Sequence, residues 1–136
     1  MDSKKFVIAT LVGTVVNFML GGLIYAVLLA AFFAEHMGAV PGASRAEPLM
    51  WAIAVSELAG ATLLALLIGV RGKGSSMADG LQVGAALGFI VSIFMDFNIY
   101  GTTNMADMTA VLVDPLLGAL RFAITGAIVG AVVGRK

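Results

Sequence analysis

Four apolar stretches of this chain each carry one strongly polar residue: Asn17, Glu57, Asp96 and Arg121. At helical rise, Asn17 comes about 18 Å from Lys5, Glu57 about 21 Å from Arg71, Asp96 about 24 Å from Gly80 and Arg121 about 21 Å from Arg135. The four share a level just beyond the middle of a bilayer, and Asp114 follows two turns further out on the same helix face as Arg121. A charge at that depth costs at least about 2.5–3.5 kcal/mol on insertion scales, so each needs a partner or water. Arg121 is the only cation at this level for Glu57, Asp96 and Asp114. Carboxylates outnumber cations, so at least one must be protonated, hydrated or paired with a bound cation. That arithmetic points to proton or ion binding by Glu57 or Asp96, with Asn17 and Asn104 orienting a ligand or water. The same residues also fit a structural role. In that reading Glu57 and Arg121 pair to fix which helices are neighbours, Asp96 reaches interfacial water, and Asp114-Pro115 caps or kinks the last helix.

Glu35, His36 and Asp107 are a weaker set, expected together in the outer loops, where they would be the only metal candidates. One histidine beside acids is more often a solvated loop residue, because metal sites need several side-chain ligands. The absence of cysteine rules out disulfides, thiolate catalysis and zinc–thiolate sites. The eight methionines are scattered and read as packing residues. No nucleotide loop, catalytic triad, HExxH or CxxC motif is present, and no cofactor is implied.

The elements that must hold these residues are membrane helices. Of 136 residues, 60% are hydrophobic and 12% charged, with a mean hydropathy of +1.04, more apolar surface than a soluble domain of this size can hide. Net charge is zero, which gives no field to attract nucleic acid. Apolar runs over residues 6–33, 49–70, 81–99 and 108–133 each reach the roughly 20 residues that cross hydrocarbon. The expected fold is all-α: a single transmembrane domain, residues 1–136, forming a membrane-embedded four-helix bundle of two helical hairpins. Loops are expected at Glu35–Pro48, Arg71–Ser76 and Tyr100–Asn104, which are rich in glycine, proline, serine or threonine.

Lys4, Lys5, Arg71, Lys73, Arg135 and Lys136 all fall on one side, which holds six of the eight basic residues. The positive-inside rule then puts both termini in the cytoplasm, with the chain multi-pass in the inner (plasma) membrane. The first apolar run is too long for a signal-peptide core of about 7–15 residues, so it is expected to be retained. Trp51, Tyr25 and Tyr100 fall where interfacial aromatic anchors collect.

Gly80, Gly84 and Gly88 make one ridge of small residues, and Gly126, Gly130 and Gly134 a second. Such ridges allow close helix approach, either within one bundle, the expected case, or between copies. A weak duplication relates Glu57-Leu-Ala59 to Arg121-Phe-Ala123, and Ile24-Tyr25 to Ile99-Tyr100, as in two hairpins of like orientation.

The strings Gly22-Leu-Ile-Tyr25, Phe32-Phe33-Ala-Glu-His36-Met-Gly38 and Met50-Trp51 are followed by Gly84-Ala-Ala-Leu-Gly88, Tyr100-Gly-Thr-Thr-Asn104-Met-Ala106 and Val113-Asp114. Together they resemble a family of uncharacterised bacterial four-helix integral membrane proteins, a domain of unknown function with a Tyr-x-x-Thr-Asn motif before the last helix. That family shows Tyr-Asp-Leu-Thr-Asn; here Gly101-Thr102 replaces Asp-Leu, Asp96 lies one turn earlier, and no aromatic follows Asp114. The resemblance implies the topology and a polar outer vestibule, and no activity.

The leading expectation is a small permease-like or ion-handling protein with its site in the outer half of the bundle. Four helices leave little room for a pathway, so a homo-oligomer or a partner membrane subunit is expected within the lipid bilayer. The alternatives are an accessory subunit docked through the glycine ridges, and a membrane-embedded enzyme acting on a lipid or quinone through His36, Asp107 and Asp114.

Overall fold

A computed structural model of the chain describes residues 2–37, 40–70 and 76–134. Gly38 of the first loop, Arg71, Gly72, Lys73, Gly74 and Ser75 of the short link, and Arg135 and Lys136 lie outside the described residues. Four of the six basic residues behind the expected orientation are among them.

Helix α1 (Ser3–Gly21) starts at Asp2, whose side chain accepts from the Lys4 N–H. It runs into a π-helical stretch, Gly22–Leu28, in which the Leu29 N–H reaches back five residues to the Ile24 carbonyl at 2.9 Å. At Leu29 the backbone leaves helical geometry (φ −120°, ψ 20°), and a short helix α2 (Ala30–His36) continues beyond the break. Helix α3 spans Met50–Val70 and α4 spans Met77–Thr102. Ser76 and Asp79 form a capping box at the start of α4, the Asp79 N–H donating to Ser76 Oγ at 3.2 Å and the Ser76 N–H to Asp79 Oδ2 at 2.9 Å. Helix α5 (Met108–Gly134) is capped by Asp107, whose Oδ1 accepts from the Ala110 N–H at 3.0 Å.

Four helices are long and apolar enough to cross a membrane: Ser3–Leu28, Met50–Val70, Met77–Thr102 and Met108–Gly134. This is a multi-pass membrane protein with an all-α, four-helix bundle fold. The spans differ from expectation at their ends: the first starts at Ser3 and not at residue 6, and the third runs to Thr102 and not to residue 99, so Tyr100, Gly101 and Thr102 of the expected loop are helical. The first ends at Leu28 and not at residue 33, because the break at Leu29 separates α2. The third starts at Met77 and not at residue 81, because the capping box stabilises an earlier first turn. Pro115 lies inside α5 and does not start it.

The helices form two hairpins, α1 with α3 and α4 with α5. Helix α5 is the hub, touching α1, α3 and α4, whereas α4 rests chiefly on α5. One end of the bundle, the terminal end, carries Ser3, Val70, Met77 and Gly134; the opposite, far end carries α2 and the start of α5. A core of Ala9, Leu64, Ala65, Ile68, Val83, Phe122 and Val129 fills the terminal half. Large apolar side chains such as Val15, Val70, Phe94 and Leu116 point outward, as lipid-facing residues do.

The two glycine ridges pack against each other. A Cβ on Gly80 would fall on the Gly126 carbonyl, one on Gly84 on the Phe122 carbonyl, and one on Gly88 on the Gly118 carbonyl, all far inside van der Waals contact. Glycine alone permits this backbone-to-backbone seam. Gly130 abuts Ser76, Gly118 extends the seam, and Gly134 is exposed beyond it.

Candidate functional site

The polar residues of the four spans separate into two adjoining groups. In the first, Glu57 on α3 is buried and both its oxygens are occupied. Oε1 accepts from Arg121 Nη1 at 3.1 Å, and Oε2 accepts from Asn17 Nδ2. The Asn17 Oδ1 faces Thr125 Oγ1 at 3.2 Å, a hydroxyl that also lies 3.0 Å from the Arg121 carbonyl. Asn17 and Thr125 are fully buried, so these contacts replace water rather than compete with it. Gly21, one turn along from Asn17, makes room for the guanidinium: a Cβ there would stand 2.7 Å from Arg121 Nη1. Arg121 lies between two rings, its Cζ 5.2 Å from the Phe122 centroid and 5.7 Å from that of Tyr25. The anion, the cation and the polar pair behind them form one connected set, in which Arg121 Nε is buried without a partner among the described residues.

The second group lies further toward the far end. The Tyr25 hydroxyl donates to Asp114 Oδ1 at 2.7 Å. Asp96, on α4, is only 4% exposed and has Asp114 as its charged neighbour, while its Oδ2 is buried without a partner among the described residues. Two carboxyl groups face each other here, and the nearest cation is engaged by Glu57. Asp114 and Arg121 open onto a cleft of about 500 Å³, whose outer wall is α2 through Phe33 and Met37, with Tyr25 and Ser92 completing it.

Helix α2 is held over this cleft by a clasp. His36 Nδ1 meets Asp107 Oδ2 at 2.5 Å, the Asp107 N–H donates to the His36 carbonyl at 3.0 Å, and Met37 pairs with Ala106 as a short antiparallel bridge. The contact with His36 and the Ala110 N–H hold the Asp107 carboxyl below its ordinary range. Phe32 stacks near the His36 ring, and Phe33 against Tyr25, with centroids 4.6 Å and 4.9 Å apart.

Of the residues expected to form the site, Asn17, Glu57, Arg121, Asp96 and Asp114 come together. Asn104 does not: it is exposed in the turn after α4, so it orients nothing in the cleft. Asn17 serves Glu57 and Thr125, which leaves its amide no free group for a ligand. His36 and Asp107 meet, but Glu35 lies exposed on α2, and no group of three or more His, Cys, Asp or Glu among the described residues could hold a metal ion. Trp51 and Tyr100 are exposed as anchors would be, whereas Tyr25 turns inward to Asp114. Sequence reasoning passed over Thr125, Gly21 and Ser92. Thr125 and Gly21 each lie four residues from a residue already singled out, Arg121 and Asn17, and so share its helix face.

No protein-family model, curated protein or solved structure matches the chain.

Proposed function

We propose that this is a proton-handling, permease-like membrane protein whose working groups are Asp96 and Asp114, reached from the cleft at the far end. One observation carries the reading: a buried carboxyl with an unpartnered oxygen faces a second carboxyl, while Arg121, the cation beside them among the described residues, is bound to Glu57. Two facing carboxylates repel unless a proton or cation lies between them. The Asp96–Asp114 pair therefore takes up and gives off a proton, with the Tyr25 hydroxyl stabilising the Asp114 carboxylate once the proton leaves. Glu57 is reassigned to structure, because Arg121 and Asn17 together meet both of its oxygens.

The positive-inside rule supports an arrangement with both termini in the cytoplasm of a cell inner membrane, so that the cleft opens outward. Kinship with the four-helix family of unknown function belongs to the same proposal. An accessory subunit docked through the glycine ridges has less support, since those ridges are occupied by each other.

The test is proton uptake by the full chain in lipid nanodiscs, read by infrared difference spectroscopy of the carboxyl C=O stretch during a pH step. A protonated-carboxyl band that disappears in Asp114→Asn and Asp96→Asn, and persists in Glu57→Gln, supports the reading. A band that follows Glu57 overturns it.

A further inference from the structure

We infer that the far-end cleft binds a small organic ammonium, which displaces the proton of the Asp96–Asp114 pair; this rests on the proton-binding reading above. About 500 Å³ is far more room than a bare ion needs and lies in the range of small-molecule sites. The walls divide by chemistry. Tyr25, Phe33 and Met37 offer two aromatic rings and a polarizable thioether to a carbon body or a cationic head. Asp114, which the Tyr25 hydroxyl touches at 2.7 Å, and Ser92 offer oxygen beside them.

Charge selects the ligand's sign. The Arg121 guanidinium also lines the cleft, but it is paired with Glu57 and flanked by rings, and its unpartnered Nε is buried, so an anion entering the cleft meets Asp114 with no open cationic group to hold it. Behind Asp114 stands Asp96, buried, with one oxygen unpartnered, an anionic reserve that the chain's own described residues leave unmatched. A neutral ligand would leave that reserve unused. A metal ion would lack its ligands, since no suitable group of acids and histidine converges here among the described residues.

The exchange balances. Before binding, the pair holds one proton and one negative charge. The ammonium head settles against the Asp114 carboxylate, the shared proton passes to water in the open cleft, and the pair then carries two negative charges with one positive charge beside them. One cation enters for each proton released, with no covalent bond to carbon or nitrogen made or broken.

The experiment titrates benzyltrimethylammonium chloride into the full chain in lipid nanodiscs, with empty nanodiscs subtracted, following heat and proton release in weak buffer. Benzyl alcohol and sodium chloride serve as the neutral and inorganic probes. The expected result is saturable binding of the ammonium alone, with proton release approaching one per cation bound. Asp114→Asn weakens binding by about tenfold or more and abolishes the release. Phe33→Ala, a change on the part-exposed wall of α2, weakens it by about three- to thirtyfold and provides the test where Asp114→Asn fails to fold. Equal binding of benzyl alcohol, saturation by sodium, or no saturable ammonium binding overturns the inference. If the ligand-free chain still shows the Asp114-dependent carboxyl band, proton handling stands and the ammonium does not. If that band is missing as well, both fall.

Discussion

The two halves of α5 meet their surroundings in opposite ways. Toward the terminal end, Gly126 and Gly130 bring its backbone against α4 with no side chain between, and the seam contains nothing to ionise. Toward the far end the same helix presents Arg121 to Glu57 of α3 and Asp114 to Tyr25, beside a cleft, while Gly118 between them keeps another face against Gly88 of α4. Close backbone approach and a polar site exclude each other on one face, so between Asp114 and Arg121 the helix gives them different faces. The glycine face holds the helices together, and the face that cannot close is left to bind.

Removing a charge from the far half gives the largest expected effect. Arg121→Leu strands the buried Glu57 carboxylate and costs about 3–5 kcal/mol, measured by steric-trap unfolding in bicelles. Adding Glu57→Gln to Arg121→Leu recovers most of that loss; a double variant as unstable as the sum of its parts would deny the pair its structural role. Gly84→Ala attacks the other half by pushing a methyl into the Phe122 carbonyl, and costs about 3 kcal/mol in the same assay. Asn17→Leu leaves one Glu57 oxygen without its partner, while the Thr125 hydroxyl keeps the Arg121 carbonyl, and costs about 1–3 kcal/mol. Asp114→Asn sharpens the contrast from the other side, since it changes stability by no more than about 1 kcal/mol while removing the exchangeable proton.

The smallest effect lies in the clasp. Asp107 is held below the ordinary carboxylate range, so its contribution to the folded state is present above that range and fades as pH falls through the lowered value. In His36→Ala the largest cause of that lowering is gone. The Asp107 titration, followed by carbon-detected NMR, then shifts up toward its usual value. An unchanged titration would place the cause in the Ala110 N–H instead.

Much of this was legible in the sequence, for reasons of differing strength. Four helices followed from hydropathy, because membrane crossing imposes a length that composition alone reveals. The gathering of Asn17, Glu57, Asp96, Asp114 and Arg121 followed from depth, because a buried charge in lipid must find company. Depth does not give azimuth, however. It could not show that Glu57 is saturated by Arg121 and Asn17 while Asp96 keeps an empty oxygen, so the sequence favoured Glu57 as much as Asp96. Tyr25 was misread as an interfacial anchor because its depth suits one, and only the twist of the π stretch turns it inward. Asn104 failed for a related reason: its motif lies near the site in sequence but past the end of α4 in space.

That π stretch has a consequence for how the protein tolerates change. A π turn holds one residue more than the same length of α-helix, so Gly22–Leu28 takes up an extra residue between α1 and α2. Deleting a single residue there, Val27 for example, would let the chain relax into continuous α-helix. Everything beyond would keep nearly its present rotation, because the extra residue is what the π turn absorbs, so Phe33 would stay on the cleft wall and His36 beside Asp107. No charge, cap or glycine contact would be altered. The π stretch thus lets the first span carry one residue more while keeping lid and cleft in step.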